Sequence, residues 1–319
     1  MKRIALIGEC MIELNGAPFG AMTQAYGGDS LNTAVYLART AGQSVAIDYV
    51  SALGCDAISN GMIARWQDEG INTDVVLRDP TRQPGLYLIQ LDDQGERTFL
   101  YWRNQSAARY MLQHPDFVTV AKHLETVDMV YLSGISVAIL PADDRLRLIE
   151  LLTQLNRQGI AIVFDSNYRP ALWESADVAR ACYTPLLAIT DLALVTNDDE
   201  AALWGDEDEK ATLARLKVAG VRKAVVKMGP KGNVYEDFTT EIRTFVATTP
   251  VKTVVDTTSA GDSFNAGFLA GVLTGKSPVQ CSEQGHQLAG IVIQHKGAII
   301  PASATATINF NVPTKKEAQ

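Results

Sequence analysis

The sequence predicts an α/β fold, with a core of mainly parallel strands covered by helices and a small β-sheet lid inserted into it. Runs such as Ile160-Ala161-Ile162-Val163-Phe164 and Leu192-Ala193-Leu194-Val195 are apolar at every position, as strands buried on both faces must be. Segments of helical periodicity stand between such runs, so strand and helix alternate along most of the chain. At 73–103 the alternation breaks and extended runs follow one another instead, which predicts the lid. The whole length, 319 residues, fits one α/β domain carrying such an excursion.

Residues 3–9 predict a buried first strand. Glu9 cuts its apolar stretch short, and no small-residue cleavage site follows, so it is not a signal peptide. Residues 10–24 contain the extended Met11-Ile12-Glu13-Leu14, with Gly16, Pro18 and Gly20 as turn signals. A helix opens at Tyr26-Gly27-Gly28-Asp29-Ser30-Leu31-Asn32 and stops at Gly42, followed by strand 45–53 and helix 56–69 ending at Gly70. Three extended runs follow: Val75-Val76-Leu77, Gly85–Leu91 and Arg97–Arg103, with Asp92-Asp93-Gln94-Gly95-Glu96 as a hairpin turn between the last two. With 10–20 they are expected to form the lid. Alternation resumes with strand 127–133, helix 142–157, strand 160–166, helix 175–188, strand 191–196, helix 208–219 and strand 223–228. A strand pair at 232–246, a strand end at Thr253-Val254-Val255, a helix from Ala260 and a last helix at 278–296 complete the pattern. The tail after Pro313 is expected to be loose.

Composition excludes several classes. The net charge of −8 argues against a nucleic-acid partner, which requires a basic face. It also means that an anionic substrate needs local arginines. No apolar run approaches the ~20 residues of a membrane span. Cys10, Cys55, Cys182 and Cys281 have neither metal-type nor redox spacing and read as core thiols of a reducing cytoplasm. His286 and His295 are nine residues apart, about 180° around one helix, and cannot be a ligand pair. Gly8 has no G-x-G-x-x-G companions, against a dinucleotide-binding oxidoreductase. Ala270–Ser277 nearly matches a P-loop, but Ala270 stands where the first glycine belongs and a helix precedes it, so Lys276 is assigned to an inter-helix surface turn with no phosphate role.

The chemistry centres on Asp256-Thr257-Thr258-Ser259-Ala260-Gly261-Asp262-Ser263-Phe264. A helix beginning near Ala260 would point the amides of Ala260, Gly261 and Asp262 outward as an anion site. Asp262 in the same turn could take a proton from a hydroxyl while those amides neutralise a transferring phosphoryl group. An ordinary capped helix would explain the acid, but not an unbroken run of small residues between two aspartates. These residues resemble the carboxy-terminal signature D-T-x-G-A-G-D-x-F of the ribokinase-like carbohydrate kinases, the pfkB family, with Ser259 in place of the usual glycine. The resemblance covers nearly the whole chain and implies a three-layer ribokinase-like core. Asp262 would be the base, the amides of Ala260, Gly261 and Asp262 the anion hole, and ATP with Mg²⁺ the phosphoryl donor.

Within that resemblance Gly27-Gly28 followed by Asn32 matches the amino-terminal signature, so Gly28, Asp29 and Asn32 are expected at the sugar; the bland alternative for Asp29 is helix capping. Asn197 and Glu200 fit the family's N-x-x-E element near magnesium and its waters, although the same residue types make a capping box. Lys227, Gly229 and Gly232 resemble the nucleotide-side loop, and Asn167, Ser259, Ala260 and Gly261 join it as nucleotide-binding candidates. Asp165-Ser166-Asn167-Tyr168-Arg169-Pro170-Ala171-Leu172-Trp173 resembles the D-x-N-x-R-x-x-L-W segment of 2-keto-3-deoxygluconate kinases and their fructokinase-like relatives, and Tyr101-Trp102-Arg103 resembles the former's lid strand. Tyr87, Tyr101, Arg103 and Arg169 are therefore the expected determinants of a sugar-acid substrate, because a guanidinium grips a carboxylate bidentately. The alternatives are a kinase for a neutral sugar such as fructose or for a nucleoside, and a non-enzymatic sugar sensor, which would be expected to lose Asp262. The resemblance further implies a homodimer through the lid, or a higher homo-oligomer, and a monovalent cation near Asp256 and Thr258.

Overall fold

The computed structural model of the protein describes residues 1–17, 19–91, 97–306, 308 and 310. Pro18, the turn expected at Asp92–Glu96 and the tail after Pro313 lie outside the described residues. In chain order the elements are β1 (Lys2–Ile7), β2 (Met11–Gly16), β3 (Met22–Gly27), α1 (Asp29–Ala41), β4 (Val45–Val50), β5 (Ala52–Gly54), α2 (Ala57–Asp68), β6 (Leu77–Asp79), β7 (Leu86–Leu91) and β8 (Arg97–Trp102). Then come α3 (Phe117–Leu124), β9 (Met129–Ser133), α4 (Gly134–Ala138), α5 (Ala142–Arg157), β10 (Ala161–Asp165), α6 (Ala176–Leu187), β11 (Leu192–Thr196), α7 (Asn197–Trp204) and α8 (Glu209–Ala219). The chain continues with β12 (Lys223–Lys227), β13 (Asn233–Asp237), β14 (Ile242–Val246), α9 (Ala260–Leu273), α10 (Pro278–Val292) and α11 (Ala302–Thr305).

The main sheet has the order β14-β13-β12-β11-β10-β9-β1-β4. From β12 to β4 neighbours are parallel, and the hairpin β13–β14 is antiparallel at one edge. The chain leaves β1 toward β4 on one side and returns to β9 on the other, so the order reverses beside β1. At such a reversal the loops at the strands' carboxyl ends diverge and leave a crevice. Period-2 alternation sorts the strand residues between two cores. Ile7, Leu132, Ile162, Phe164 and Val195 pack against α3, α5, α6 and α8. Leu6, Tyr131, Val163 and Leu194 pack against α1, α2, α9 and α10. This makes three layers, helix, sheet and helix.

The lid is a second sheet of order β3-β2-β7-β8. Four expectations differ from the structure. Tyr26 and Gly27 end β3 rather than open the helix, since β3 pairs along β2 from Gly16↔Met22 to Met11↔Gly27. Val75-Val76-Leu77 is not a lid run: Leu77 starts β6, which pairs with β5 in a separate two-stranded sheet, and all three side chains are buried in the two cores. Thr253-Val254-Val255 forms no strand, because β14 already closes that edge and the amides of Val255 and Asp256 donate to Ile293 O instead. His295 lies beyond the end of α10, so it does not share the helix with His286. The segment 104–124, for which the sequence predicts no element, holds a short 3₁₀ turn and α3. All four cysteines are unpaired thiols.

Candidate active site

The site forms where α9 begins. Ser259 is the N-cap, with φ +65°, and its side chain makes no capping bond. A left-handed conformation costs a non-glycine residue roughly 1–2 kcal/mol. The serine hydroxyl instead donates to Asp262 Oδ2 at 3.0 Å, and Asn32 Nδ2 donates to the same oxygen at 2.9 Å. Thr33 Oγ1 holds the Asp262 carbonyl at 3.3 Å, tying α9 to α1. Burial, reinforced by the neighbouring Asp29 and opposed by these donors, pushes the Asp262 carboxyl up to about 7. A carboxylate titrating near neutrality is matched to general-base work.

Asp29 starts α1 but does not cap it. Its Oδ2 accepts from Asn167 Nδ2 at 3.0 Å, and Asn167 reaches it from a positive φ of 33°, a conformation asparagine tolerates. Burial raises the Asp29 carboxyl, partly countered by Ser133 and Arg103. Gly28 is required by close approach, since a Cβ there would stand 2.1 Å from Glu9 O.

On the other side of Asp262 lies a largely apolar cavity of about 570 Å³, lined by Lys227, Gly229, Gly232, Ala260 and Gly261 together with Thr196, Val254, Phe264, His286 and Ile293. Gly232 takes φ +117°, and a Cβ there would meet Val246 O at 2.2 Å, so the loop after β12 can hug the hairpin only with glycine. The Lys227 ammonium donates to Asn265 Oδ1 at 3.0 Å and lies 3.5 Å from Asp165 Oδ2. It is also within 3.7 Å of where a Cβ on Gly261 would be. Asn265 in turn donates to Asp165 at 2.7 Å and to the Tyr131 hydroxyl at 3.2 Å. Lys227 thus adds a buried positive charge beside the helix amides.

Asn197 and Glu200 start α7, whose N-cap Thr196 makes no side-chain bond, so they form no capping box. Glu200 pairs with Arg215 of α8, and burial, opposed by Arg215, lifts its carboxyl to about 7. Asp165 Oδ1, Ser166 Oγ, Asn197 Oδ1 and Glu200 Oε1 are buried without a well-formed hydrogen bond. Unpartnered buried oxygens on adjacent strand ends fit a hydrated hard cation. Among the described residues no three His, Cys, Asp or Glu side chains form a direct ligand cluster.

On the lid, Tyr87 is buried, and its hydroxyl donates to Glu13, which together with burial holds the phenol far above its usual range. Tyr101 is 53% exposed and lies 6.0 Å from the Tyr87 ring. Arg103 donates through Nε to Glu9 Oε2 at 2.8 Å and through a second nitrogen to the same oxygen. Arg169 is exposed and pairs with Asp199 at 3.2 Å. Both candidate carboxylate grips therefore carry counterions. Lys276 lies near Asp191 and Lys223 around a cavity at the amino ends of the strands, the opposite end of the sheet from Asp262.

Several residues of the site were missed in the sequence. Glu9 carries a signal, an acid closing an apolar strand, and Asn265 carries another, an amide one turn after Asp262 on an apolar helix. Asp165 carries a third, as the acid that opens the D-x-N-x-R-x-x-L-W segment, whereas Asp199 and Arg215 carry none without knowledge of which loops meet.

The model of the pfkB family of carbohydrate kinases matches residues 1–305. The chain is 58% identical to the 2-dehydro-3-deoxygluconokinase of Haemophilus influenzae, covering 94% of this chain and 96% of that one. It is 45% identical to the 2-dehydro-3-deoxygluconokinase of Dickeya dadantii, covering 95% and 98%. The crystal structure of 2-dehydro-3-deoxygluconokinase from Thermotoga maritima superposes with a TM-score of 0.80 at 18% identity, covering 96% of this chain and 98% of that one.

Proposed function

The chain belongs to the pfkB family of carbohydrate kinases, and from that premise we propose that it is a 2-dehydro-3-deoxygluconokinase, transferring the γ-phosphoryl group of ATP to the terminal hydroxyl of 2-keto-3-deoxy-D-gluconate to give the 6-phosphate. The observation that carries the chemistry is the position of Asp262, held by Asn32 on the sugar-signature side and opening the helix that lines the apolar cavity. The two relatives named for this activity at 58% and 45% identity support the substrate.

In the reaction the sugar hydroxyl gives its proton to Asp262, its oxygen bonds the γ-phosphorus, and the bond from that phosphorus to the β-bridging oxygen breaks, releasing ADP. The amides of Gly261 and Asp262 and the Lys227 ammonium face the charge that spreads over the transferring group, whereas the Ala260 amide, expected in the same anion hole, donates to Thr257 O at 3.1 Å. Gly229 and Gly232 shape the cavity for the nucleotide. Asn197 and Glu200, with the unpartnered oxygens beside them, would hold hydrated Mg²⁺. Magnesium supplies charge neutralisation across the phosphates. Gly28, Asp29, Asn32, Tyr87 and Tyr101 contact the sugar, and Arg103 and Arg169 hold its carboxylate.

The enzyme works in the cytoplasm, a reading supported by four unpaired cysteines and by the absence, among the described residues, of a helix long and apolar enough to cross a membrane. It pairs through the lid, whose edge strand β8 exposes Tyr101 and Trp102 at 53% and 58%, the kind of surface that seeks a partner. A monovalent cation would be held near Asp256 and Thr258, where the Asp256 carboxylate orders the loop by accepting from the amides of Thr258 and Gly297. Dependence of the rate on K⁺ checks this.

The neutral-sugar reading keeps one supporting observation, that Arg103 and Arg169 are already ion-paired. A coupled ADP-release assay across sugar acids, fructose and nucleosides decides between them. The acid should be the best substrate by kcat/KM, and a neutral sugar exceeding it would overturn the assignment.

A further inference from the structure

We propose that Ser259 is a positioning residue for the base: by donating its hydroxyl to Asp262 Oδ2 beside Asn32, it fixes the carboxylate so that Oδ1 is the oxygen presented to the substrate hydroxyl. The inference rests on Asp262 being the base. Oδ2 receives both donors, at 3.0 and 2.9 Å, while among the described residues none donates to Oδ1. The two oxygens are thereby made unlike, one an anchor and the other without a donor among the described residues.

The alternative role for a serine at this position is capping, and the structure excludes it. Ser259 is the N-cap of α9 but makes no side-chain bond to the helix amides. Its left-handed φ of +65° is one that glycine adopts without strain, and glycine is the usual residue of the motif. Serine is thus retained against local backbone preference, and the bond to Asp262 is what its hydroxyl does there. A donor to a carboxylate favours the charged form, so Ser259 also opposes the burial and the Asp29 charge that raise the carboxyl. The other groups facing Asp262 are Asp165 of β10, Tyr131 of β9 and Tyr36 of α1, and the Lys227 ammonium of β12 stands beside the preceding residue, Gly261. Burial raises both phenols, so they stay neutral between pH 6 and pH 9.

The test measures kcat/KM against pH for Ser259→Ala and Ser259→Gly, with Asp262→Asn as control and thermal midpoints recorded for all. ATP titrates identically in every assay, so its contribution cancels in the comparison. Both variants lose the hydroxyl, but only the glycine relieves the left-handed strain. A hydrogen bond to a charged group biases an equilibrium by about one to two decades. Because Asn32 still serves Oδ2, the lower figure applies. The acid limb should move up by about one pH unit in both variants, with about a tenfold loss of rate on that limb and little change on the alkaline plateau. Limbs coincident with wild type, a loss uniform across pH, or activity that follows the thermal midpoint and recovers in Ser259→Gly would overturn the proposal. If Asp262→Asn keeps its turnover, the base assignment fails. If it is inactive and the serine variants behave as wild type, only the Ser259 proposal falls.

Discussion

In the proposed reaction Asp262 and Arg103 would frame the substrate from its two ends, and single substitutions separate their roles. Asp262→Asn keeps the shape and an oxygen for Asn32 and Ser259 to bond, but it cannot accept a proton. Turnover should fall by ~10²–10⁴-fold with nucleotide affinity little changed, as measured by steady-state ADP release and by titration with ATP. Turnover within a factor of a few of wild type would remove Asp262 from the mechanism. Beside its proposed contact with the substrate, Arg103 neutralises Glu9, which is only 2% exposed. Arg103→Ala should reduce kcat/KM for the sugar acid by about one to two orders of magnitude, the loss of a charge-assisted contact. It should also lower stability, since breaking a buried ion pair strands the remaining charge at a cost of roughly 3 kcal/mol. Adding Glu9→Gln should restore the thermal midpoint but not the activity. If activity returned with stability, Arg103 would be a structural residue. The arginine was legible in the sequence, whereas its counterion was not. Glu9 precedes it by 94 residues, and only the pairing of β2 with β7 and of β7 with β8 brings the two together.

At the scale of elements, the helix pair α9–α10 carries the turn that bears Asp262 and is closely packed. A Cβ on Gly267 would stand 2.7 Å from Gln284 O, a backbone atom that cannot swing aside. Gly267→Ala gains about 1 kcal/mol in helix propensity but forces an overpacked contact that typically costs 1–3 kcal/mol. The clash should win, giving a net loss of about 1 kcal/mol in denaturant unfolding and some loss of activity, since α9 bears Asp262. A variant as stable as wild type would show that the pair can separate without cost. Lys276, in the turn joining the two helices, stands 14 residues beyond Asp262, about 20 Å along α9 at 1.5 Å per residue. Lys276→Ala should leave kcat and KM for ATP within about twofold, and a collapse of turnover in a folded variant would mean that the nucleotide site is misplaced. The core elements were readable because doubly buried strands have a pattern that periodicity alone reveals, as at 160–164 and 192–195. The lid was read less well. β3, with Met22, Thr23, Gln24 and Ala25 exposed, has no apolar face to mark it, and Val75-Val76-Leu77 is apolar because it enters the core.

Across the whole molecule the carboxyls divide by the sign of their contribution to stability. Asp262 and Glu200 are pushed up to about 7, chiefly by burial, from ordinary values of 3.8 and 4.5. Between those limits the folded chain holds protons that the unfolded chain has released. Their contribution is therefore fully present below about pH 4 and is lost as pH rises through 7. Asp79 and Asp128 act in the opposite sense. Burial works against Asp79, but Thr81 and Arg82 hold it at about 2, and Lys2 with the Arg3 amide depresses Asp128. Their contributions are present above the ordinary carboxylate range and are lost as pH falls through the lowered values. Both sets favour the fold together only between about pH 4 and pH 7, whereas Asp262 is ready to accept a proton only above that window. As pH rises toward neutrality, the stability contributed by the raised carboxyls therefore falls while the readiness of Asp262 to accept a proton grows. Thermal melts of the wild type should show the midpoint declining from pH 5.5 to pH 8.5. Asp262→Asn, which cannot ionise, should flatten part of that decline and melt higher than wild type at pH 8.5, although it is catalytically dead. A wild-type midpoint that is level or rises over this interval, or an asparagine variant no more stable at pH 8.5, would mean that the buried base carries no such cost.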